Sequence, residues 1–189
     1  MSQINMSSVQ LNESTEKFTS KLVSWIKYII ILIFVFFIFH NVIGLTKVSG
    51  NSMNPTFQDG GLILVNKIAK LYKEPKLGDV AIISQPDQGI DIVKRIIGVA
   101  GDVVKIQEGI VYVNNEPIPE VIALGKSTDL AEQTIPDGSV FVMGDNRTPG
   151  ESLDSRDPSV GPISVNFIKG YVVYSLLPFH SIPKPLVLQ

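Results

Sequence analysis

Hydrophobic and polar positions divide this chain into two regimes. Residues 28–45 are almost entirely apolar, with no polar stripe at helical spacing. As a helix this stretch spans about 27 Å, close to the thickness of a bilayer core. It reads as a transmembrane helix, because a buried core helix would keep a polar face. It also differs from a cleaved signal peptide. Its polar leader is long, and cleavage at the small residues Val48-Ser49-Gly50 would cut just before Ser52. Beyond residue 50 the pattern changes to short β-branched and aliphatic runs broken by Gly, Pro, Asn and Asp. Strands are predicted over 61–66, 80–84, 92–99, 103–107, 110–113, 139–143 and 171–177. Glu108-Gly109 and Asn114-Asn115 predict tight turns, and residues 67–72 predict one short helical piece. The expected fold is therefore mainly β: one N-terminal transmembrane helix followed by an antiparallel β-sheet domain.

Charge sets the orientation. Lys17, Lys21 and Lys27 precede the apolar run and Lys47 follows it, so the positive-inside rule places residues 1–27 in the cytoplasm, 28–45 in the membrane and 46–182 outside the cell. Trp25 and Tyr28 suit the inner interfacial belt. The first 16 residues are polar and are expected to be disordered. Residues 183–189 form a tail too short and too proline-flanked for a second span. The net charge of −2 gives no footprint for nucleic acid. Absence of cysteine excludes thiol chemistry and disulfides, and two histidines, His40 and His180, leave almost no material for a zinc site or a Ser-His-Asp triad.

With only two histidines in the chain, a nucleophilic serine would draw its base from a lysine or a carboxylate. Ser52 lies a few residues beyond the apolar run, where a substrate leaving the membrane could reach it. Lys94 sits within Asp91-Ile92-Val93-Lys94-Arg95-Ile96-Ile97, and strand alternation puts it on the face of Ile92 and Ile96, with Arg95 on the opposite face. Holding a lysine of pKa about 10.4 neutral at pH 7 costs about 4.6 kcal/mol, and burial lowers a lysine pKa by roughly 3–5 pH units. Desolvation is thus large enough to make Lys94 a base, although on residue physics alone a lysine that snorkels to the surface is the commoner outcome.

Three stretches then combine: Ser49-Gly50-Asn51-Ser52-Met53-Asn54-Pro55-Thr56, Lys94-Arg95-Ile96-Ile97-Gly98-Val99-Ala100-Gly101-Asp102, and Gly144-Asp145-Asn146-Arg147 leading to Ser152-Leu153-Asp154-Ser155-Arg156. In this order, behind an N-terminal anchor, they resemble type I signal peptidases, membrane-bound Ser/Lys proteases, and the short Gram-positive form in particular. The resemblance implies that Ser52 is the nucleophile and Lys94 the general base, that the Ser52 backbone N–H stabilises the oxyanion, and that Ser152 orients the lysine. It also implies that Asp145, Arg147, Asp154 and Arg156 brace the site through ion pairs, and that Met53 contributes to a substrate pocket. Substrates would be secreted preproteins with cleavable signal peptides and Ala-x-Ala sites; neither metal nor organic cofactor is implied. A small accessory β region over about 103–138 is expected as well. Two features depart from the family pattern. Gly50 replaces a serine that supplies an oxyanion hydroxyl in some members, and Thr148-Pro149-Gly150-Glu151 is two residues longer than usual, an excess that a Pro-Gly turn can absorb. A self-cleaving regulator of the same protease clan would lack the anchor and carry a DNA-binding element. The alternative from another class is a catalytically inactive, membrane-tethered β domain that binds exported proteins.

Overall fold

The structure, a computed structural model, describes residues 3–85, 89–120 and 122–184, with side-chain environments from Phe18 onward. The chain divides into two compact units, Met1–Asn41 and Val42–Gln189. The first is a helix, α1 (Gln3–Val42). Its Phe18–Val42 portion has a mean hydropathy of 2.6 and is long and apolar enough to cross a membrane. The polar leader, expected to be disordered, is instead helical from Gln3. No Gly or Pro interrupts residues 3–43, and once the apolar segment has nucleated a helix, extending it is far easier than starting it.

Helix α1 stops at Val42, before the apolar run ends, and β1 (Ile43–Lys47) begins at once. Gly44 weakens the helix here, since glycine costs a helix about 1 kcal/mol relative to alanine. Residues 43–45 thus belong to the sheet rather than to the helix predicted from hydropathy.

The second unit continues with β2 (Leu62–Asn66), β3 (Val80–Gln85), β4 (Ile90–Val99), β5 (Val103–Gln107), β6 (Ile110–Val113), β7 (Glu116–Pro117), β8 (Leu130–Thr134), β9 (Ser139–Met143), β10 (Ile163–Ser164), β11 (Ile168–Leu177) and β12 (Phe179–Ser181). One antiparallel sheet runs β1-β2-β11-β3-β4-β9-β10, with β12 folded back onto β11; a second runs β7-β6-β5-β8. The mainly antiparallel β fold expected from the sequence is what forms. Both predicted turns join strands with positive φ at their central residues, 55° and 78° at Glu108 and Gly109, 54° and 68° at Asn114 and Asn115, the twist that favours two-residue hairpins. The helical piece near 67–72 is a 3-10 turn, Ile68–Leu71.

Side-chain alternation sorts the core. One face of β3, β4 and β9 carries Ala81, Ile83, Ile96, Val140 and Val142. Val80 and Ile82 face a cluster with Met53, Phe57, Ile63 and Val65, while Ile97, Phe141 and Met143 pack with Val104, Ile106, Val111 and Ile135 of the small-sheet region. The register of β4 on β9 shifts between Ile96 and Gly98. A Cβ on Gly98 would strike Ile135 and Val104, so this glycine lets the small sheet approach closely. Each large aliphatic or aromatic side chain buried here contributes about 1.5–3 kcal/mol. Of the expected tail, residues beyond Lys184 lie outside the described residues.

Candidate active site

Ser52 lies in the loop between β1 and β2. The base of this loop is closed by Val48 N–H donating to Gly61 O (2.7 Å) and Gly60 N–H to Val48 O (3.0 Å). Gly50, at φ 90°, turns the chain, and its N–H is held by Asp59 Oδ1 at 2.8 Å. Met53 and Phe57, each 1% exposed, anchor the loop in the core with Val48 and Val93, leaving Ser52 half-buried. The Asn146 N–H donates to Ser52 O at 2.9 Å, and Asn146 Nδ2 donates to Asn51 O at 3.3 Å. The first and third sequence stretches are therefore joined through backbone.

Gly144 is where the parts meet. A Cβ at this position would fall on Ser52 O and on Ser152 Oγ, so both abut the glycine. Its own N–H donates to Asp154 Oδ2 (2.9 Å), which also accepts from Ser152 Oγ–H (2.6 Å). Arg156 forks onto the same carboxylate, Nε to Oδ1 and Nη2 to Oδ2, both 2.8 Å. Burial alone would raise the Asp154 pKa, but the Arg156 fork, the Ser152 hydroxyl and the Gly144 N–H together hold it below the usual carboxylate value. The segment is pinned to β9 at its far end, where Ser155 exchanges two 3.0 Å bonds with the Val142 backbone.

Lys94 lies on β4 opposite Ala81, on the face of Ile92, Ile96 and Ile83. It is 3% exposed and makes no ion pair or hydrogen bond among the described residues. Burial is the main influence on its amine. The Asp154 carboxylate partly offsets it, Arg156 reinforces it, and the result is a pKa lowered to about 8. A lysine of this kind is a proton acceptor near neutral pH, unlike the surface lysine that the sequence left open.

Arg95, next in the strand, points the other way and is 1% exposed. Its guanidinium forks onto Asp145, with Nε–Oδ1 and Nη2–Oδ2 both 2.7 Å, and Thr56 Oγ1–H donates to the same carboxylate. Arg147 pairs with Glu120, while its Nε donates to Gly144 O at 2.7 Å. For both members of that pair burial outweighs mutual attraction, raising the Glu120 pKa and lowering that of Arg147. Arg95 and Glu120 are site members to which the sequence assigned no role. An arginine inside an apolar strand does signal a buried carboxylate partner. Glu120 gave no signal, since its region is the least patterned of the chain. That region reaches the site through a parallel bridge, Leu124 N–H to Asp145 O (2.9 Å) and Arg147 N–H to Leu124 O (2.7 Å). The lengthened segment Thr148–Glu151 forms an exposed turn closed by Glu151 N–H to Thr148 O at 3.1 Å, with Gly150 at φ 84°. Among the described residues no three His, Cys, Asp or Glu side chains gather to hold a metal ion.

Comparison with known proteins identifies the family. A sequence model described as signal peptidase, peptidase S26, matches residues 22–177. Signal peptidase I of Bacillus licheniformis is 32% identical over 188 residues, covering 89% of this chain and 97% of its own. Signal peptidase I T of Bacillus subtilis (strain 168) is 31% identical, covering 89% and 92%. A crystal structure of a signal peptidase I from Enterococcus faecalis V583 aligns with 52% of this chain and 97% of its own at 26% identity and a TM-score of 0.46. The chain belongs to the signal peptidase family, peptidase S26, and is a serine endopeptidase.

Proposed function

We propose that Ser52 is the nucleophile and Lys94 the general base of a membrane-anchored signal peptidase that cleaves exported preproteins after Ala-x-Ala sites. The observation that carries this reading is the buried, unpaired Lys94 with its amine lowered to about 8, on a strand whose neighbour Arg95 is tied through Asp145 and Thr56 to the Ser52 loop. Neutral Lys94 takes the Ser52 hydroxyl proton as Oγ bonds to the scissile carbonyl carbon. The Ser52 N–H, free of acceptors among the described residues, donates to the resulting oxyanion; one such donor is worth about 10²–10³ in rate. Gly50 has no hydroxyl and its N–H is already held by Asp59, so it adds no second donor here. Collapse breaks the C–N bond, and the lysine ammonium protonates the departing amine. The same amine, neutral again, deprotonates the water that attacks the acyl-enzyme ester, and Ser52 leaves with that proton. Ser152, whose hydroxyl donates to Asp154 rather than to Lys94 in this structure, is assigned the orienting of the lysine once substrate is bound, while Asp145, Arg147 and Arg156 stiffen the loop that carries it. Met53 closes the floor of the pocket for the small substrate side chain. Helix α1 spans the cytoplasmic membrane once with its N-terminus inside, as the lysines flanking its apolar run support, and the β unit works outside.

The test is cleavage of a preprotein carrying an Ala-x-Ala site by the detergent-solubilised chain, beside Ser52→Ala and Lys94→Met, with the cut site read by mass spectrometry. Cleavage after the second alanine, abolished in both folded variants, is the expected result. A folded but inert parent, or variants that cut as well as the parent, would leave the tethered binding domain as the better account.

A further inference from the structure

Arg95 is a buried cation whose five N–H groups are all engaged. Nε and one Nη2 hydrogen go to Asp145, the other Nη2 hydrogen reaches Thr56 Oγ1 at 3.4 Å, and Nη1 donates to Gly78 O at 2.9 Å and to Pro183 O at 2.8 Å. The last acceptor comes from the far end of the chain, beyond the residues matched by the family model. The rest of that end is anchored just as locally. β12 pairs with β11, placing His180 opposite Ser175. His180 Nε2 lies 2.8 Å from Thr56 O, to which it donates as the Nε2–H tautomer, Nδ1 lies 3.1 Å from Pro178 O, and the ring packs on Phe57 with centroids 6.3 Å apart. Ile182 packs with the Met53–Phe57 cluster, and Lys184 Nζ lies 3.4 Å from the buried Asp79 carboxylate.

Thr56 and Phe57 end the turn that begins at Ser52, and Arg95 adjoins Lys94. The segment Phe179–Lys184 therefore touches the two pieces of chain that must be held in register for the reaction. We infer that this C-terminal strap is a positioning element of the active site, acting through Thr56 and Arg95 to hold the nucleophile loop against the strand that carries the base. The inference rests on the Ser52 and Lys94 assignment. The strap contacts no reacting atom. Without it one donor of a buried guanidinium loses its acceptor, the Thr56 carbonyl loses its donor, and Asp145 is freer to tilt. A small displacement between nucleophile and base lowers the chemical step more than it lowers substrate binding.

The experiment compares the full chain with chains ending at Pro178 and at Lys184, and with His180→Phe, which keeps an aromatic ring on Phe57 but cannot donate to Thr56 O. kcat and KM are measured on an Ala-x-Ala peptide well below each variant's unfolding temperature. The chain ending at Pro178 should lose about tenfold or more in kcat, with KM changed less than about twofold, and His180→Phe should lose kcat in the same sense by a smaller factor. The chain ending at Lys184 should match the parent. A folded Pro178-ended chain with parental kcat overturns the proposal, as does loss of kcat in the Lys184-ended chain. If the Pro178-ended chain does not fold, His180→Phe decides: reduced kcat at unchanged KM supports the strap, and parental kcat rejects it. An inactive full-length parent would strike at the dyad instead, which keeps the two failures apart.

Discussion

Replacing Lys94 with methionine should remove activity and at the same time make the protein more stable. Burial takes the Lys94 amine from 10.5 to about 8, a drop of about 2.5 pH units, and each unit is worth 1.36 kcal/mol, so the buried charge opposes folding by about 3 kcal/mol. The unfolded chain takes up the proton as pH falls through 10.5, whereas the folded chain takes it up only near 8. The penalty is therefore nearly absent above 10.5, grows between 10.5 and 8, and is full below 8. Methionine matches the length of the lysine stem and carries no charge. Urea unfolding of the full chain in detergent micelles, parent beside Lys94→Met, at pH 7 and at pH 10.5, gives the two stability differences needed. The variant should be the more stable at pH 7, and its advantage should shrink by about 3 kcal/mol at pH 10.5. A difference between the two proteins that stays flat across this range would refute burial as the source of the depressed amine.

The same amine predicts that kcat/KM rises with pH and levels off above about 8, since only about a tenth of Lys94 is neutral at pH 7; a peptide-cleavage profile that keeps climbing towards 10.5 would contradict it. Gly144→Ala should destabilise the fold by about 1–3 kcal/mol in urea titrations and lower kcat, because its methyl group would displace Ser52 O and Ser152 Oγ. Glu120→Gln, which removes the ion pair of the buried Arg147 and leaves Asp145 as its nearby carboxylate, should cost about 1–3 kcal/mol by the same assay, and a loss below the measurement error would show the pair to be idle. The depressed Asp154 pKa adds stability that is present above the ordinary value near 3.8 and is lost as pH falls below it, so acid unfolding should be steeper for the parent than for Asp154→Asn.

What the sequence disclosed follows from the range of the physics involved. Hydropathy located the apolar part of α1 but not its polar leader, and alternation with turn residues located most strands of the sheets, because both are local signals. β1 was hidden, since Ile43, Gly44 and Leu45 are as apolar as the helix they follow, and only pairing with β2 separates them. β7, β8, β10 and β12 were missed for a related reason: they are short, and much of their surface is exposed, so no alternation marks them. At the site, strand alternation correctly put Lys94 and Arg95 on opposite faces. It could not say that Arg95 meets Asp145, 50 residues away, or that Glu120 meets Arg147. Those pairings depend on β4 lying beside β9 and on Leu124 bridging to Asn146, and both are long-range contacts.

The turn at Thr148–Glu151 is a tolerant joint between two rigid fixtures. Arg147 and Asp154 are buried, while Thr148, Pro149, Gly150 and Glu151 are all exposed. Loop closure grows costlier by only about 0.6 kcal/mol for each doubling of length, so further residues inserted between Pro149 and Gly150 need not disturb either fixture. The single tryptophan, Trp25, lies far away in sequence on α1. A fluorophore or tag placed in this turn would give a spectroscopic window a few residues from Ser152, on an enzyme that otherwise offers no intrinsic tryptophan reporter in its β unit.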